Sequence, residues 1–188
     1  MYVTSGNNTE QLLTLEAMVR VANAFTDAAT DNGDAVDIRQ VLDDAGFPRA
    51  VIAPEAAIRR TTERFADLLN RIQSLPDIGV SAATLWINAE LTELDISPSL
   101  TDHGGAALHI HWTPASATFD DQVIADFLMA LTNELCDNGI TRFGRCAADD
   151  CERLFYDSSR NGSRRFCSDP RCASRTHTAD HRKRNKAK

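Results

Sequence analysis

The chain lacks any apolar run approaching the roughly eighteen residues that a membrane-spanning helix requires, which argues against a transmembrane segment. Its opening residues, Met1-Tyr2-Val3-Thr4-Ser5-Gly6-Asn7-Asn8, have neither a basic patch nor an apolar stretch, so no secretory signal is read there. A cytoplasmic, reducing location is the expectation, and stable disulfides are uncommon in such a compartment. No phosphate loop, nucleophile elbow or catalytic cysteine–histidine context is found, so an enzyme is not expected. Internal repeats and low-complexity tracts are also missing. Basic residues are scarce for most of the length. Up to Ile140 there are seven Lys and Arg against twenty-one Asp and Glu.

What is present is an ordinary globular balance. The 188 residues are 43% hydrophobic and 25% charged, enough to bury a real core. The net charge of -7 argues against a polyanion binder, but it hides a split. From Thr141 onward thirteen basic residues face six acidic ones. A basic segment of this kind points to anionic partners. The charge inverts near Gly139, which suggests a domain over 1–139 and a second unit over 140–188.

Periodicity predicts an α+β first domain, mostly helical with a small antiparallel sheet. Leu12, Leu15, Val19 and Ala22 share one face of a helix from Thr9 to Ala29, capped by Asn8 and ended by Asp31-Asn32-Gly33. A second helix runs from Asp37 to Ala45, with Gly46 at the left-handed position beyond it. A third starts at Pro54 and stops at Pro76, with Ile58, Phe65, Leu69 and Ile72 inward. Alternation in Leu85–Thr92 predicts a strand, paired with another over Ala107–Trp112 through a loop from Pro98 to Gly105. A long helix covers Asp120–Asn138, with Ile124, Leu128, Leu131 and Leu135 inward and Gly139 as terminator.

Four of the five cysteines crowd together at Cys146, Cys151, Cys167 and Cys172, as two CxxxxC pairs fifteen residues apart. Structural zinc takes four soft donors at tetrahedral positions, and two short-spaced pairs supply them while closing one modest loop. A thiol–disulfide role and unconnected buried cysteines are the alternatives. Leu154-Phe155-Tyr156 and Arg164-Arg165-Phe166-Cys167 read as strands of a hairpin, with Asn161-Gly162 in its turn. Ser168-Asp169-Pro170 reads as a helix start that places Cys172 in the first turn. Knuckle, hairpin, ligand and helix in that order describe a treble-clef-like finger ending in a basic helix. Its few large apolar residues provide little core, so metal removal should unfold the C-terminal third.

This stretch resembles the CGNR zinc finger family, bacterial proteins regarded as stress-induced transcription regulators. The residues that carry the resemblance are Cys146, Cys151, Ser159-Arg160-Asn161, Ser163-Arg164-Arg165-Phe166-Cys167, Cys172, Arg175 and His181-Arg182. The family signature follows its last cysteine with Gly, Asn and Arg. Here Ala173 and Ser174 replace the first two, while the ligand and Arg175 remain. Upstream, Gly139 and the Ala107–Trp112 strand with its His-x-His resemble the ABATE domain that precedes the finger in that family. The resemblance implies Zn2+ as cofactor and DNA as partner, with the first domain sensing an effector or forming a homo-oligomer.

From Arg160 to the end ten basic residues meet two acidic ones. On a helix from Asp169, Arg171, Arg175, Thr178 and Arg182 form one stripe. Arg160, Arg164, Arg165, Arg171, Arg175, Arg182, Lys183 and Arg184 are the candidate DNA contacts, because phosphates relieve the repulsion within such a stripe. A solvated tail, or a stripe docked on the acidic first domain, is the bland reading. Two other functions stay open: a protein-interaction module, and a redox sensor whose thiolates release zinc on oxidation. His109 and His111 share a strand face near His103 and are either a ligand pair or an ordinary polar face. His177 and His181 have helical ligand spacing but face a shell that four cysteines already complete. Cys136 is expected to be a small buried residue.

Overall fold

The computed structural model describes residues 6–30, 36–101 and 108–186. Asp31-Asn32-Gly33, His103, Gly104-Gly105 and Lys188 lie outside the described residues. In chain order the elements are α1 Gly6–Thr30, α2 Ile38–Asp44, α3 Arg49–Ile52, α4 Glu55–Ser74, a 3-10 turn Leu75–Asp77, α5 Val80–Thr92, β1 Ser99–Thr101, β2 His109–His111, α6 Phe119–Asn138, β3 Phe143–Arg145, β4 Leu154–Tyr156 and α7 Pro170–Lys186. The fold class is α+β, helices with two small antiparallel sheets.

Helix α6 packs on α1, α4 and α5. Its inner face buries Val123, Ile124, Phe127, Leu128 and Leu131, against Leu15, Met18 and Ala22 of α1 and Phe65, Leu68 and Ile72 of α4 in the same core. Phe127 meets Phe47 edge-on at 5.3 Å and Phe65 at the same separation. Thr118 caps α6 by accepting from the Asp121 N–H. Arg60 and Arg64 of α4 hold the buried Asp120 carboxylate at 3.2 Å each. Burial opposes ionisation of Asp120, but hydrogen bonds from Thr118 and Arg64 win and lower its pKa.

The caps follow the sequence in α2. Asp37 accepts from the Gln40 N–H, and Gly46 adopts φ +94° beyond the C-cap. Gly46 N–H donates to Asp43 O and Phe47 N–H to Leu42 O, which is a Schellman closure. Helix α1 differs, because it begins at Gly6 and makes Asn8 helical rather than a cap.

Residues 85–92 are a helix, not a strand. Ala83 and Ile87 are buried one turn apart, with Trp86 and Leu91 packed beside them, whereas Leu85 is 74% exposed. Neither Gly nor Pro interrupts the segment, and Ala, Leu and Glu at several of its positions favour helix. The partner of β2 is therefore β1, in the register Ser99↔His111, Leu100↔Ile110, Thr101↔His109.

The hydrophobic core continues across Gly139, which ends α6 at φ +65°. Phe143, Leu154 and Tyr156 of the β3–β4 hairpin are buried in the same cluster as α1, α4 and α6. These three large apolar residues of the C-terminal segment thus join the main core, whereas Phe166 packs against the buried cysteines. Gly144 is required by close approach: a Cβ there would stand 2.5 Å from the Phe155 ring. No described helix is long and apolar enough to cross a membrane.

Candidate metal centre

Two cysteines lie at the tip of the β3–β4 hairpin. Cys146 directly follows β3, and its N–H donates to Arg153 O at 2.9 Å. The Cys151 N–H donates to Ala148 O at 3.1 Å and tightens the turn between them. Flanking arginines fasten this knuckle to the helical core. Arg145 reaches Asp77 at 2.7 Å and Gln73 O at 2.7 Å. Arg153 grips Asp27 with two bonds of 2.9 and 2.8 Å.

The other two cysteines come from the start of α7. Asp169 is its N-cap, accepting from the Arg171 N–H at 2.9 Å, and Pro170 takes the first helical position. Cys172 thereby sits in the first turn, with its N–H on Asp169 O. Cys167 precedes the cap, and the Ala147 N–H bonds Arg165 O at 2.8 Å to draw the two pieces together.

All four sulfurs lie within 4.8 Å of one another. Cys151 Sγ is 3.8 Å from Cys167 Sγ, which is 3.7 Å from Cys172 Sγ. A tetrahedron with sulfur about 2.3 Å from a central zinc has edges of about 3.8 Å, so the cage fits. Cys146, Cys167 and Cys172 are buried and Cys151 is half-buried. Burial and the neighbouring thiols push the Cys172 thiol up to about 12. Burial likewise raises Cys151, against a backbone N–H from Arg153. Burial opposes ionisation at Cys146 too, but N–H bonds from Cys167 and Ala148 outweigh it and lower the pKa. Without a cation the cage resists becoming four thiolates. A divalent ion at its centre removes that penalty.

The sheet beside the cage differs from the sequence expectation. Arg164–Cys167 is not a strand, and among the described residues β4 pairs only with β3, in the register Phe143↔Tyr156 to Arg145↔Leu154. The free edge of β4 is claimed by side chains. Asn23 of α1 donates to Leu154 O at 2.9 Å and accepts from Leu154 N–H at 2.8 Å. Arg164 Nη1 donates to Tyr156 O at 3.2 Å, and its Nε to Phe166 O at 2.8 Å. The Arg164 N–H goes to the buried Asp157 carboxylate at 2.7 Å instead of a ladder. Asp157 also accepts from Ser159 N–H, and these bonds with Arg142 hold its pKa low in spite of burial. Gly162 adopts φ +57° in the following turn, as Asn161-Gly162 predicts.

The other candidate residues separate into groups. Arg160 is exposed at the Ser159–Gly162 turn, and Arg182, Lys183 and Arg184 are exposed on the last turns of α7. Arg165 is exposed with its guanidinium 5.7 Å from the Phe166 ring centre. Arg171 pairs with Asp169 at 2.7 Å while remaining solvent-facing. Arg175 donates to Cys172 Sγ at 3.6 Å and reaches Asp150 at 3.2 Å, beside the cage. Arg164 is engaged internally, over the Phe155 ring as well as on two carbonyls. His177 packs edge-on against Phe166. Cys136 is exposed rather than buried, because it falls on the outer face of the last α6 turns.

Asn23, Glu134, Arg142 and Asp157 were not marked by the sequence. Glu134 accepts from the Tyr156 hydroxyl at 2.9 Å inside the core, where burial raises its pKa. Arg142 donates to Ser159 O at 2.6 Å. These are lone polar residues in unremarkable contexts, and only their long-range partners reveal them. Residues 142–185 match the family model of the CGNR zinc finger. No curated protein matches the chain.

Proposed function

We propose that this protein is a DNA-binding transcription regulator whose four cysteines hold a structural zinc ion. Zinc, when bound, supplies a scaffold that joins the hairpin tip to the start of α7. Four sulfurs fill its tetrahedral shell and leave no position for a substrate. The reading rests on the cage's aim: it fixes the first turn of a helix whose last turns carry Arg182, Lys183 and Arg184 in solvent. Arg160 and Arg165 extend the same cationic segment. Phosphates offer such a segment its missing counter-charge, and arginine also reads guanine in the major groove. The helical domain, docked through Asn23, Arg145 and Arg153, serves sensing or self-association.

The test is a gel-shift of genomic fragments with the purified full chain, with and without a zinc chelator. Retarded complexes that vanish on chelation and return with zinc support the reading. A chain that retards no fragment while fully metallated contradicts it, and capture of an acidic protein instead would favour an interaction module.

A further inference from the structure

Strand β2 carries a second arrangement of ligating side chains, on a part of the fold separate from the cysteine cage. His109 and His111 lie on the same strand face, two residues apart, and both are half-buried. Their Nε2 atoms are 3.1 Å from each other. Pairing with Ser99 and Thr101 of β1 fixes the backbone at both positions, so the pair is held rather than floppy.

Two readings of a 3.1 Å approach make different demands on ring direction. A head-on N–H···N bond at that separation would put the ring centres about 5.4 Å apart, since such bonds prefer to be linear. Two imidazoles converging on one ion at about 2.0–2.1 Å would put their centres about 4.8 Å apart. The observed separation is 5.0 Å, nearer the second value, with the ring planes at 45°. At 3.1 Å the nitrogens would subtend about 95–100° at the ion, between octahedral and tetrahedral angles. Asp126 on α6 interacts electrostatically with His109, Glu10 adds a second carboxylate, and Arg49 is the opposing charge at that locus.

We propose that His109 and His111 form a second metal site, which takes a borderline divalent transition ion such as Zn2+, Ni2+ or Co2+ through both Nε2 atoms. Imidazole suits these ions. Among the described residues no third ligand joins the two imidazoles, so this ion should exchange more readily than one held by the four cysteines. The site would give the helical domain a small ligand of its own.

The experiment uses the full chain with its cysteine cage loaded with zinc. Ni2+ is titrated by calorimetry, and imidazole resonances are followed by NMR at substoichiometric Ni2+. One Ni2+ per chain is expected, with paramagnetic broadening of His109 and His111. His109→Gln and His111→Gln should each weaken binding by about tenfold or more, with unchanged zinc content and circular dichroism. A His177→Ala/His181→Ala variant should bind as the parent does. Broadening confined to His177 and His181, Ni2+ affinity unaltered by the β2 substitutions, or no Ni2+ uptake by the zinc-loaded chain would each overturn the proposal. The NMR arm needs no variant, so it decides even if a substitution unfolds the sheet.

Discussion

The carboxamide of Asn23 in α1 binds both the N–H and the C=O of Leu154 in β4, at 2.8 and 2.9 Å. It stands where a neighbouring strand would otherwise pair. A residue 131 positions away in sequence thus ends the sheet and locks the hairpin to the helical core. Asn23→Ala leaves two buried backbone groups without partners, which should cost about 3 kcal/mol. Urea unfolding of the metal-loaded chain measures this. Asn23→Ala unfolding at the parental midpoint would mean that the contact contributes nothing.

Metal removal should act in two tiers. The β3–β4 side chains Phe143, Leu154 and Tyr156 belong to the main core, so they survive chelation. Residues beyond Asp157 have no comparable apolar anchor and depend on the cage. Amide exchange should therefore accelerate across 158–186 and stay slow at 143–145 and 154–156. Trp86 and Trp112, packed against the helical core, should keep their emission. Loss of protection throughout the chain would contradict this division.

Asp126 should make the fold less stable as pH rises. Burial, with Glu10 adding repulsion and Arg49 and His109 opposing it, raises its pKa from 3.8 to about 7. Between those values the unfolded chain releases a proton that the folded chain keeps, so stability falls with pH and levels off above about 7. Asp126→Asn removes that loss. Its Tm should exceed the parent's at pH 8 and match it near pH 4. An equal shift at both pH values would point to packing instead.

The arginines should divide by role. Arg164→Ala removes bonds to Tyr156 O and Phe166 O, and should lower stability by about 1–3 kcal/mol. Arg182→Ala, Lys183→Ala and Arg184→Ala alter an exposed helix end and should leave stability within about 0.5 kcal/mol. In the proposed DNA complex the triple variant should weaken binding and flatten the salt dependence. For about six phosphates, the parent's log K should fall with a slope near -5 against log salt. A parental complex insensitive to salt would refute the phosphate contacts.

The cage was legible in the sequence because metal ligation demands specific residue types at short spacing, and Cys146, Cys151, Cys167 and Cys172 stand out against any background. Helices α2, α4 and α6 were legible because their periodicity and caps agree, as Asp37, Gly46 and Gly139 show. Residues 85–92 misled because alternation over eight residues also fits a helix with Ala83 and Ile87 inward. The second hairpin strand failed for a different reason. Arg164–Cys167 has strand-like composition, but Asn23 and Arg164 satisfy the edge of β4 with side chains, and local pattern does not encode that long-range competition. Docking of the basic stripe on the acidic first domain was one reading of the charge split, but the contacts that fasten the finger to the helical core were not legible, since Asp27–Arg153 and Glu134–Tyr156 join distant segments.

X-ray absorption at the zinc edge of the native, chelator-rinsed protein tests the four-sulfur cage most directly. One tightly held zinc per chain, surrounded by four sulfur neighbours at about 2.3 Å, is the result expected. A metal-free protein with reduced, intact thiols, or a tightly held ion with nitrogen and oxygen neighbours in place of sulfur, would contradict it.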